Sequence, residues 1–302
     1  MNKIFYEHLQ EIIGTERCFL QENMGRHTTF GVGGPADYYV RPRRSDAAQV
    51  LSLCRTYGIP CLVIGNGSNL LVGDQGIRGL VMELGREAAQ ITVEGRVVKA
   101  QAGALLSAVA RTAANYSLAG MEFASGIPGT IGGAVVMNAG AYGGEMKHIV
   151  RKAIVLTKDG DEIGLSKEEL DLGYRHSCIP EQEYIVLEAE LALEHGDPGK
   201  IQERMAELRR QRSEKQPLEY GSAGSTFKRP EGYFAGKLIQ DAGLRGYRVG
   251  DAQVSEKHCG FVINRGQATA SDIIQLIRDV QEQVKAKFGV HLETEVRILG
   301  EF

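Results

Sequence analysis

The stretch CLVIGNGSNLLVGDQGIRG, residues 61–79, decides how the fold of this chain is interpreted. Its apolar start, CLVI at 61–64, predicts a short buried strand that runs directly into the glycine turn GNGSN at 65–69. Glycines let a backbone approach an anion closely with successive N–H groups pointing at it, and Ser68 and Asn69 add side-chain donors. An ordinary tight turn explains these five residues as well, so the turn alone leaves both interpretations open.

Two common nucleotide-binding motifs are excluded by the residues around this turn. The dinucleotide fingerprint needs glycine or alanine at position 70, where Leu70 stands, and it needs a helix to follow. Residues 70–79, LLVGDQGIRG, do not predict a helix. A Walker A loop is excluded because no G-K-[ST] sequence follows the glycines.

A second glycine-rich segment, SGIPGTIGGAV, occupies residues 125–135. A long structural loop is the alternative interpretation. Because both segments suit backbone contact with a diphosphate, together they favour a large nucleotide cofactor. In the following MNAGAYGGE, residues 137–145, Asn138 and Tyr142 are candidates to face a ligand.

Composition argues against several classes of partner. The chain has 302 residues, 43% of them hydrophobic, and a formal net charge of −3, so no basic surplus points to nucleic acid or to an anionic membrane. Apolar stretches are short and interrupted by glycine or charge, so none is predicted to span a bilayer. The first 16 residues lack a signal-peptide core and predict a short amphipathic helix.

The five cysteines are scattered and never occur in C-x-x-C spacing. This pattern predicts neither a metal site nor a disulfide framework. Reduced thiols are typical of cytoplasmic proteins, and we expect a cytoplasmic location.

The order of predicted elements indicates two domains divided near residue 195, where EHGDPGK precedes a helix that begins at Asp197-Pro198. Before this point we predict a helix over 45–57 with Ser45 as N-cap, a helix over 104–118, a hairpin over 154–165 and a strand over 184–193. After it we predict a short helix over 234–244, a strand over 260–263, a long helix from Ser271 and a closing strand over 293–299.

Six segments resemble, in order, the motifs of UDP-N-acetylenolpyruvoylglucosamine reductases, a family of flavoenzymes in bacterial peptidoglycan synthesis. They are RHTTFGVGGPADYYV (26–40), GNGSNLLV (65–72), GIPGTIGGAVVMNAGAYGGE (126–145), YRHS (174–177), GSAGSTFKRP (221–230) and LETEVRILG (292–300). The resemblance covers nearly the whole chain. At 302 residues the chain is similar to the shorter branch, which lacks an extra tyrosine-bearing loop.

The resemblance implies an α+β fold with a vanillyl-alcohol-oxidase or PCMH-type FAD-binding domain over residues 1–195, in subdomains of about 1–82 and 83–195, and a smaller α+β substrate domain over 196–302. It implies non-covalent FAD, NADPH as reductant, and a role in cell-wall biogenesis, cell shape and cell division. It assigns FAD binding to Gly65, Asn66, Gly67, Ser68 and Asn69, and to Ser125, Gly126, Pro128, Gly129, Thr130, Gly132, Gly133 and Ala134.

The family reaction reduces an enolpyruvyl ether to a lactyl ether, which requires stabilisation of an enolate and delivery of a proton. The resemblance implies that Ser225 donates the proton, although the residues alone favour a turn serine among glycines. It assigns the enolate charge to Arg175, whose guanidinium fork suits a carboxylate. Alternation over 293–299 cannot choose between Glu293 and Glu295, and the resemblance chooses Glu295 to support or protonate the enol.

Tyr142, Lys215 and Arg229 resemble substrate contacts of the family, which binds a nucleotide sugar that carries a diphosphate and a carboxylate. One alternative function is another FAD-dependent oxidoreductase of the same fold with covalently bound flavin, for which His27 is the nearest candidate residue. A non-catalytic nucleotide-sugar-binding protein is the other alternative, and it would not need Ser225, Arg175 and Glu295 together. We expect a monomer or weak oligomer.

Overall fold

The computed structural model describes all 302 residues, Met1–Phe302. The seven helices are α1 Lys3–Ile13, α2 Ala47–Tyr57, α3 Leu106–Asn115, α4 Ile131–Val136, α5 Pro198–Lys215, α6 Ala235–Asp241 and α7 Ala270–Phe288. The eighteen strands are β1 Cys18–Asn23, β2 Pro35–Val40, β3 Cys61–Ile64, β4 Leu70–Val72, β5 Ile77–Glu83, β6 Ile91–Glu94, β7 Val97–Gln101, β8 Leu118–Ala119, β9 Gly140–Ala141, β10 Gly144–Glu145, β11 Val150–Leu156, β12 Glu162–Ser166, β13 Ile185–Ala192, β14 Glu194–His195, β15 Arg248–Val249, β16 Ala252–Val254, β17 Val262–Asn264 and β18 Arg297–Leu299. No helix combines the length and apolar character needed to cross a membrane.

The chain forms two compact units, each built from three segments. The first contains Met1–Leu20, Asp37–Asn66 and Gly79–Gln211, and the second contains Gln21–Ala36, Gly67–Arg78 and Arg212–Phe302. The first unit thus extends past residue 195 into α5. The division of the chain into two domains near residue 195 stays a prediction.

The first unit has two larger sheets, which share one apolar core with helices α1 to α4, and two two-stranded sheets, β9-β10 and β8-β14. One sheet has the strand order β1-β2-β5-β3, with β3 parallel to β5. The other has the order β12-β11-β13-β7-β6 and is antiparallel throughout. The unit combines helices with both parallel and antiparallel strand pairs, and its five-stranded sheet is wholly antiparallel. This combination matches the predicted α+β class.

Most predicted elements of this unit form where the sequence pattern placed them. The strand over 61–64 is β3, the hairpin over 154–165 is β11 with β12, and the strand over 184–193 is β13. Ser45 as N-cap of α2 is wrong, because a single 3-10 turn, Arg44–Asp46, precedes the helix and Asp46 takes the cap position. The Ser45 hydroxyl donates to the Asp46 carboxylate instead of accepting a helical N–H.

The second unit has an antiparallel sheet of order β15-β16-β17 and a parallel pair of β4 with β18. Helix α7 buries Ile273, Ile277, Val280 and Val284, as its apolar periodicity predicts. Ala270 and Leu276 of this helix are also fully buried, whereas Ile274, which the periodicity predicts on the same face, is only partly buried. The predicted strand over 260–263 begins two residues later, as β17 Val262–Asn264.

Side chains from two distant segments satisfy the amino end of α7. Thr269 and Asp272 form a capping box in which each side chain accepts the other's backbone N–H, both at 3.0 Å. The Asp74 carboxylate accepts the N–H groups of Ala270 at 2.8 Å and Ser271 at 2.9 Å. Four N–H groups that an α-helix leaves without intrahelical partners are therefore bonded, and Asp74 ties the residue 67–78 segment to α7.

We expect Asp74→Ala to lower the free energy of unfolding by about 1–2 kcal/mol, the range for loss of a helix cap. Burial raises the pKa of Asp74, but hydrogen bonds from Ser271 and the Ala270 N–H outweigh this, so the pKa lies below its ordinary value. A lowered folded pKa stabilises the fold at neutral pH, and this contribution disappears as pH falls below about 4. Urea unfolding at neutral and acid pH measures both effects. The exposed neighbour Gln75→Ala is the control, and an equal loss in both variants would contradict the capping role.

Candidate active site

The two glycine loops meet within the first unit at Gly65 and Asn66. A Cβ atom on Gly65 would lie 2.2 Å from the Oγ1 atom of Thr130, so only glycine permits this approach. The Asn66 amide donates to the Pro128 carbonyl at 2.7 Å, which fixes one loop against the other. Thr130 itself is buried and bridges to Leu105. Two glycine backbones held together in this way fit the pyrophosphate of a dinucleotide, and bound FAD would supply hydride chemistry there.

Not every N–H group of the second loop points towards a ligand. The amides of Ile131 and Gly132 donate to the carbonyls of Ala104 and Ala102, at 2.9 and 2.8 Å. A Cβ on Gly132 would lie 3.0 Å from the Cβ of Ala102, so this glycine serves close packing. Gly133 has only the Thr130 hydroxyl within 4 Å of its Cβ position, at 3.8 Å. Of these two glycines, Gly133 therefore has more free space beside its Cα atom for a ligand.

Tyr142 lies at the tip of the short hairpin formed by β9 and β10. Ala141 pairs with Gly144, so Tyr142 and Gly143 form a two-residue turn with φ of 54° and 83°. Positive φ at both central residues is the type I′ hairpin geometry. The Tyr142 side chain is 38% exposed, which leaves it accessible to a substrate.

Arg175 lies in a four-residue turn, where Gly173 and His176 exchange backbone hydrogen bonds of 3.1 and 3.3 Å. Its φ of 53° is in the left-handed region, where a non-glycine residue is strained. Its guanidinium lies 5.2 Å from the ring centroid of Tyr174, and one Nη atom is 3.5 Å from the Gly140 carbonyl. His176 instead contacts the Asp171 carboxylate at 3.1 Å, which is consistent with an incidental role for this histidine.

In the second unit, buried Thr226 fixes the loop that carries Ser225. Its N–H donates to the Gly260 carbonyl at 2.9 Å, and its hydroxyl accepts the Val262 N–H at 3.0 Å. Its carbonyl accepts the Glu295 N–H at 2.8 Å. The backbones of Ser225 and Glu295 are therefore neighbours through Thr226, which sequence analysis missed because buried threonine carries no signal in a hydroxyl-rich loop.

The predicted strand over 293–299 is wrong in its first half. Regular pairing begins at β18, Arg297–Leu299, and Thr294 makes only an isolated bridge with Phe227. The two glutamates that alternation could not separate have different surroundings. Glu293 is exposed and pairs with Lys228 at 3.1 Å, while Glu295 is half-buried and its carbonyl accepts the amide of Asn69 at 3.1 Å.

The two predicted basic contacts of the second unit lie at its surface. Lys215 is the exposed last residue of α5. Arg229 stacks its guanidinium 3.9 Å from the ring centroid of Phe234, and its Nε donates to the Tyr233 carbonyl at 3.3 Å. Stacking holds the guanidinium plane, a geometry that suits planar recognition of a carboxylate or phosphate.

Comparison with known proteins defines the class first. A family model described as an FAD binding domain matches residues 36–166, a range that includes both glycine loops. A solved structure of alkyldihydroxyacetonephosphate synthase shares the fold over 65% of this chain and 41% of its own, with a TM-score of 0.50 at 15% identity. The chain therefore contains an FAD-binding domain, as the resemblance predicted. The protein is an FAD-binding oxidoreductase.

The chain belongs to the UDP-N-acetylenolpyruvoylglucosamine reductase family. The model of that family's C-terminal domain matches residues 216–299. Reductases of this name from Agathobacter rectalis and Caldanaerobacter subterraneus are 56% and 50% identical to it, with all of this chain and all of each relative aligned. The crystal structure of the Thermus caldophilus reductase has 39% identity and a TM-score of 0.80, covering 93% of this chain and 97% of that one. The resemblance predicted from six motifs is confirmed.

Proposed function

We propose that the protein reduces UDP-N-acetylglucosamine enolpyruvate to UDP-N-acetylmuramate with NADPH, through bound FAD, in peptidoglycan precursor synthesis. The observation that supports this proposal is the Thr226 carbonyl, which accepts the Glu295 N–H at 2.8 Å and so makes the backbones of Ser225 and Glu295 neighbours. A nucleotide-sugar-binding protein without catalysis has no need of this arrangement.

Each residue has a separate task in the reaction. When bound, FAD supplies the hydride for the terminal carbon of the enol ether. Ser225 delivers a proton to the neighbouring carbon, and Glu295 supports or protonates the enol. Arg175 stabilises the negative charge that develops on the carboxylate and enolate oxygens. Lys215 and Arg229 supply the local positive charge that the diphosphate and carboxylate of the nucleotide sugar need. Tyr142 recognises the same substrate by stacking or hydrogen bonding.

The protein acts in the cytoplasm as a monomer or weak oligomer and contributes to cell shape and division. All five cysteines are free thiols, which suits a reducing compartment. NADPH and the enolpyruvyl substrate use one site in turn. Intersecting initial-rate lines instead of a ping-pong pattern would contradict this order of binding.

An anaerobic stopped-flow experiment on the purified protein tests the function directly. Flavin is first reduced with NADPH, and the reduced protein is then mixed with UDP-N-acetylglucosamine enolpyruvate. We expect rapid return of the oxidised flavin absorbance. Yellow protein whose reduced flavin is not reoxidised would support the alternative, another FAD-dependent oxidoreductase of this fold, and failure to bind FAD at all would contradict the cofactor.

We expect acid precipitation to release all of the flavin into the supernatant. The nearest candidate for a covalent link, His27, has its Nε2 atom 3.0 Å from the Glu22 carboxylate, a contact that favours a structural role. Absorbance of the supernatant and of the pellet measures the partition. Flavin retained in the pellet would favour the covalent type of oxidoreductase.

A further inference from the structure

Asn138 is a fully buried polar residue just beyond the carboxyl end of α4. Its exposed fraction is 0%, and its φ of 41° lies in the left-handed region. The sequence suggested that this residue faces a ligand. That interpretation is wrong, because every polar atom of its side chain is hydrogen-bonded to protein groups.

The amide of Asn138 joins the β9–β10 hairpin to the Arg175 turn. Its Nδ2 atom donates to the Glu145 carboxylate at 2.9 Å and to the Gly173 carbonyl at 2.8 Å. Its Oδ1 atom accepts the N–H of Lys147 at 2.8 Å. Three strong bonds at zero exposure fix both the position and the orientation of this amide.

The charge of Glu145 dictates which way the amide points. Burial raises the pKa of Glu145, but bonds from Lys147 and Asn138 outweigh it, so the pKa lies below its ordinary value. Glu145 is therefore a carboxylate at neutral pH and accepts hydrogen bonds only. Asn138 must present its NH2 group to it, which leaves the second hydrogen of the same group for Gly173.

The Gly173 carbonyl is the group that closes the turn containing Arg175. It accepts the His176 N–H at 3.3 Å and the Asn138 amide at 2.8 Å, so the bond to Asn138 is the shorter of the two. Arg175 occupies the third position of this turn with φ of 53°, where a type II turn favours glycine. A strained backbone of this kind persists only where its surroundings over-determine it.

We propose that Asn138 is the positioning residue that holds the Arg175 turn in its strained conformation and so aims the guanidinium at the substrate carboxylate. This inference rests on the proposed function of Arg175. Ser177 assists from the other end of the turn, since its hydroxyl donates to the Val136 carbonyl at 2.8 Å. Asn138 is a positioning residue and not a catalytic one, because its side chain is fully buried among the protein groups that it bonds.

Asn138→Ala and Asn138→Asp test this proposal in the full-length, flavin-loaded protein. Ala removes all three bonds, and Asp keeps the acceptor for Lys147 while setting a carboxylate against Glu145 and Gly173. We expect reoxidation by UDP-N-acetylglucosamine enolpyruvate to slow by about 10- to 100-fold, the effect of misplacing a group at the reacting centre by about 1 Å. Flavin content and the rate of flavin reduction by NADPH should stay within about twofold of wild type.

A double-mutant cycle with Arg175→Ala separates positioning from general destabilisation. If Asn138 acts through Arg175, adding Asn138→Ala to the Arg175→Ala protein slows flavin reoxidation by less than a further factor of about two. Val155→Ala, a buried core change on β11 in the same unit, lowers the melting temperature without changing the ratio of the two half-reactions. Should Asn138→Ala fail to fold, Asn138→Asp and Asn138→Ser carry the same cycle.

Additive effects of Asn138→Ala and Arg175→Ala, or equal slowing of both half-reactions, would overturn the positioning role while leaving the proposed function intact. Unchanged reoxidation in Arg175→Ala alone would instead overturn the proposed task of Arg175, and the inference with it. Wild-type protein that never reoxidises with the substrate would refute the proposed function itself.

Discussion

Ser225→Ala is expected to slow reoxidation of the reduced flavin by the enolpyruvyl substrate by about 10²–10⁴-fold, the usual contribution of a positioned general acid. That factor corresponds to about 3–5 kcal/mol of activation free energy. Flavin reduction by NADPH should keep its wild-type rate, because no proton from Ser225 enters that half-reaction. Anaerobic stopped-flow absorbance measures the two half-reactions separately.

Ser222→Ala is the matched control for this substitution. Ser222 lies on the same loop and holds Thr29 through its backbone, with its N–H donating at 3.0 Å and its carbonyl accepting at 2.6 Å. Loss of its hydroxyl should therefore change neither half-reaction. Equal slowing of both half-reactions in Ser225→Ala would indicate a disturbed loop and contradict the role of proton donor.

The second large effect is expected from Gly67→Ala. Gly67 has φ of 59°, and a Cβ atom there would lie 1.8 Å from the backbone carbonyl oxygen of His27. No rotamer change relieves a contact with backbone, so residues 27 and 67 must move apart. We expect a loss of about 3–5 kcal/mol in the free energy of unfolding, in the range of severe single substitutions. FAD binding should weaken with it, because the family resemblance predicts that the GNGSN loop binds the cofactor.

Gly95→Ala isolates the backbone strain from the clash. Gly95 also has φ of 59°, but no atom lies within 4 Å of its Cβ position. Alanine there should cost only the left-handed strain of about 1–2 kcal/mol and leave FAD content unchanged. Thermal unfolding and flavin absorbance of both variants provide the comparison. Equal losses at the two positions would show that the close approach at Gly67 has no energetic consequence.

The identity of the family was readable from the sequence because its motifs are local. CLVI followed by GNGSN places a short strand before a glycine turn, and the strand forms over those four residues as β3. The glycine runs, the hairpin over 154–165 and the apolar face of α7 each depend on neighbours within a few residues. Propensity, periodicity and turn chemistry can therefore be recognised in the sequence without knowledge of the folded structure.

Alternation failed where tertiary contacts replaced regular pairing. The segment with Glu293 and Glu295 predicts one continuous strand, but the Thr226 carbonyl accepts both the Glu295 N–H, at 2.8 Å, and the Val296 N–H, at 3.4 Å. When two successive N–H groups bond the same carbonyl, side chains no longer alternate between the two faces of a strand, and the prediction depends on that alternation. Only the folded second unit distinguishes the exposed, paired Glu293 from half-buried Glu295.

Motifs and local patterns were enough to predict the fold class, the glycine loops and the types of residue available for hydride and proton chemistry. The roles of Asn138, Thr226 and Asp74 became visible only in the folded chain. Asn138 bonds to Gly173, which lies 35 residues away in the sequence, and Asp74 caps a helix that begins 196 residues away. Such roles leave no local pattern, because a hydrogen bond between distant segments depends on where packing of the whole unit brings them.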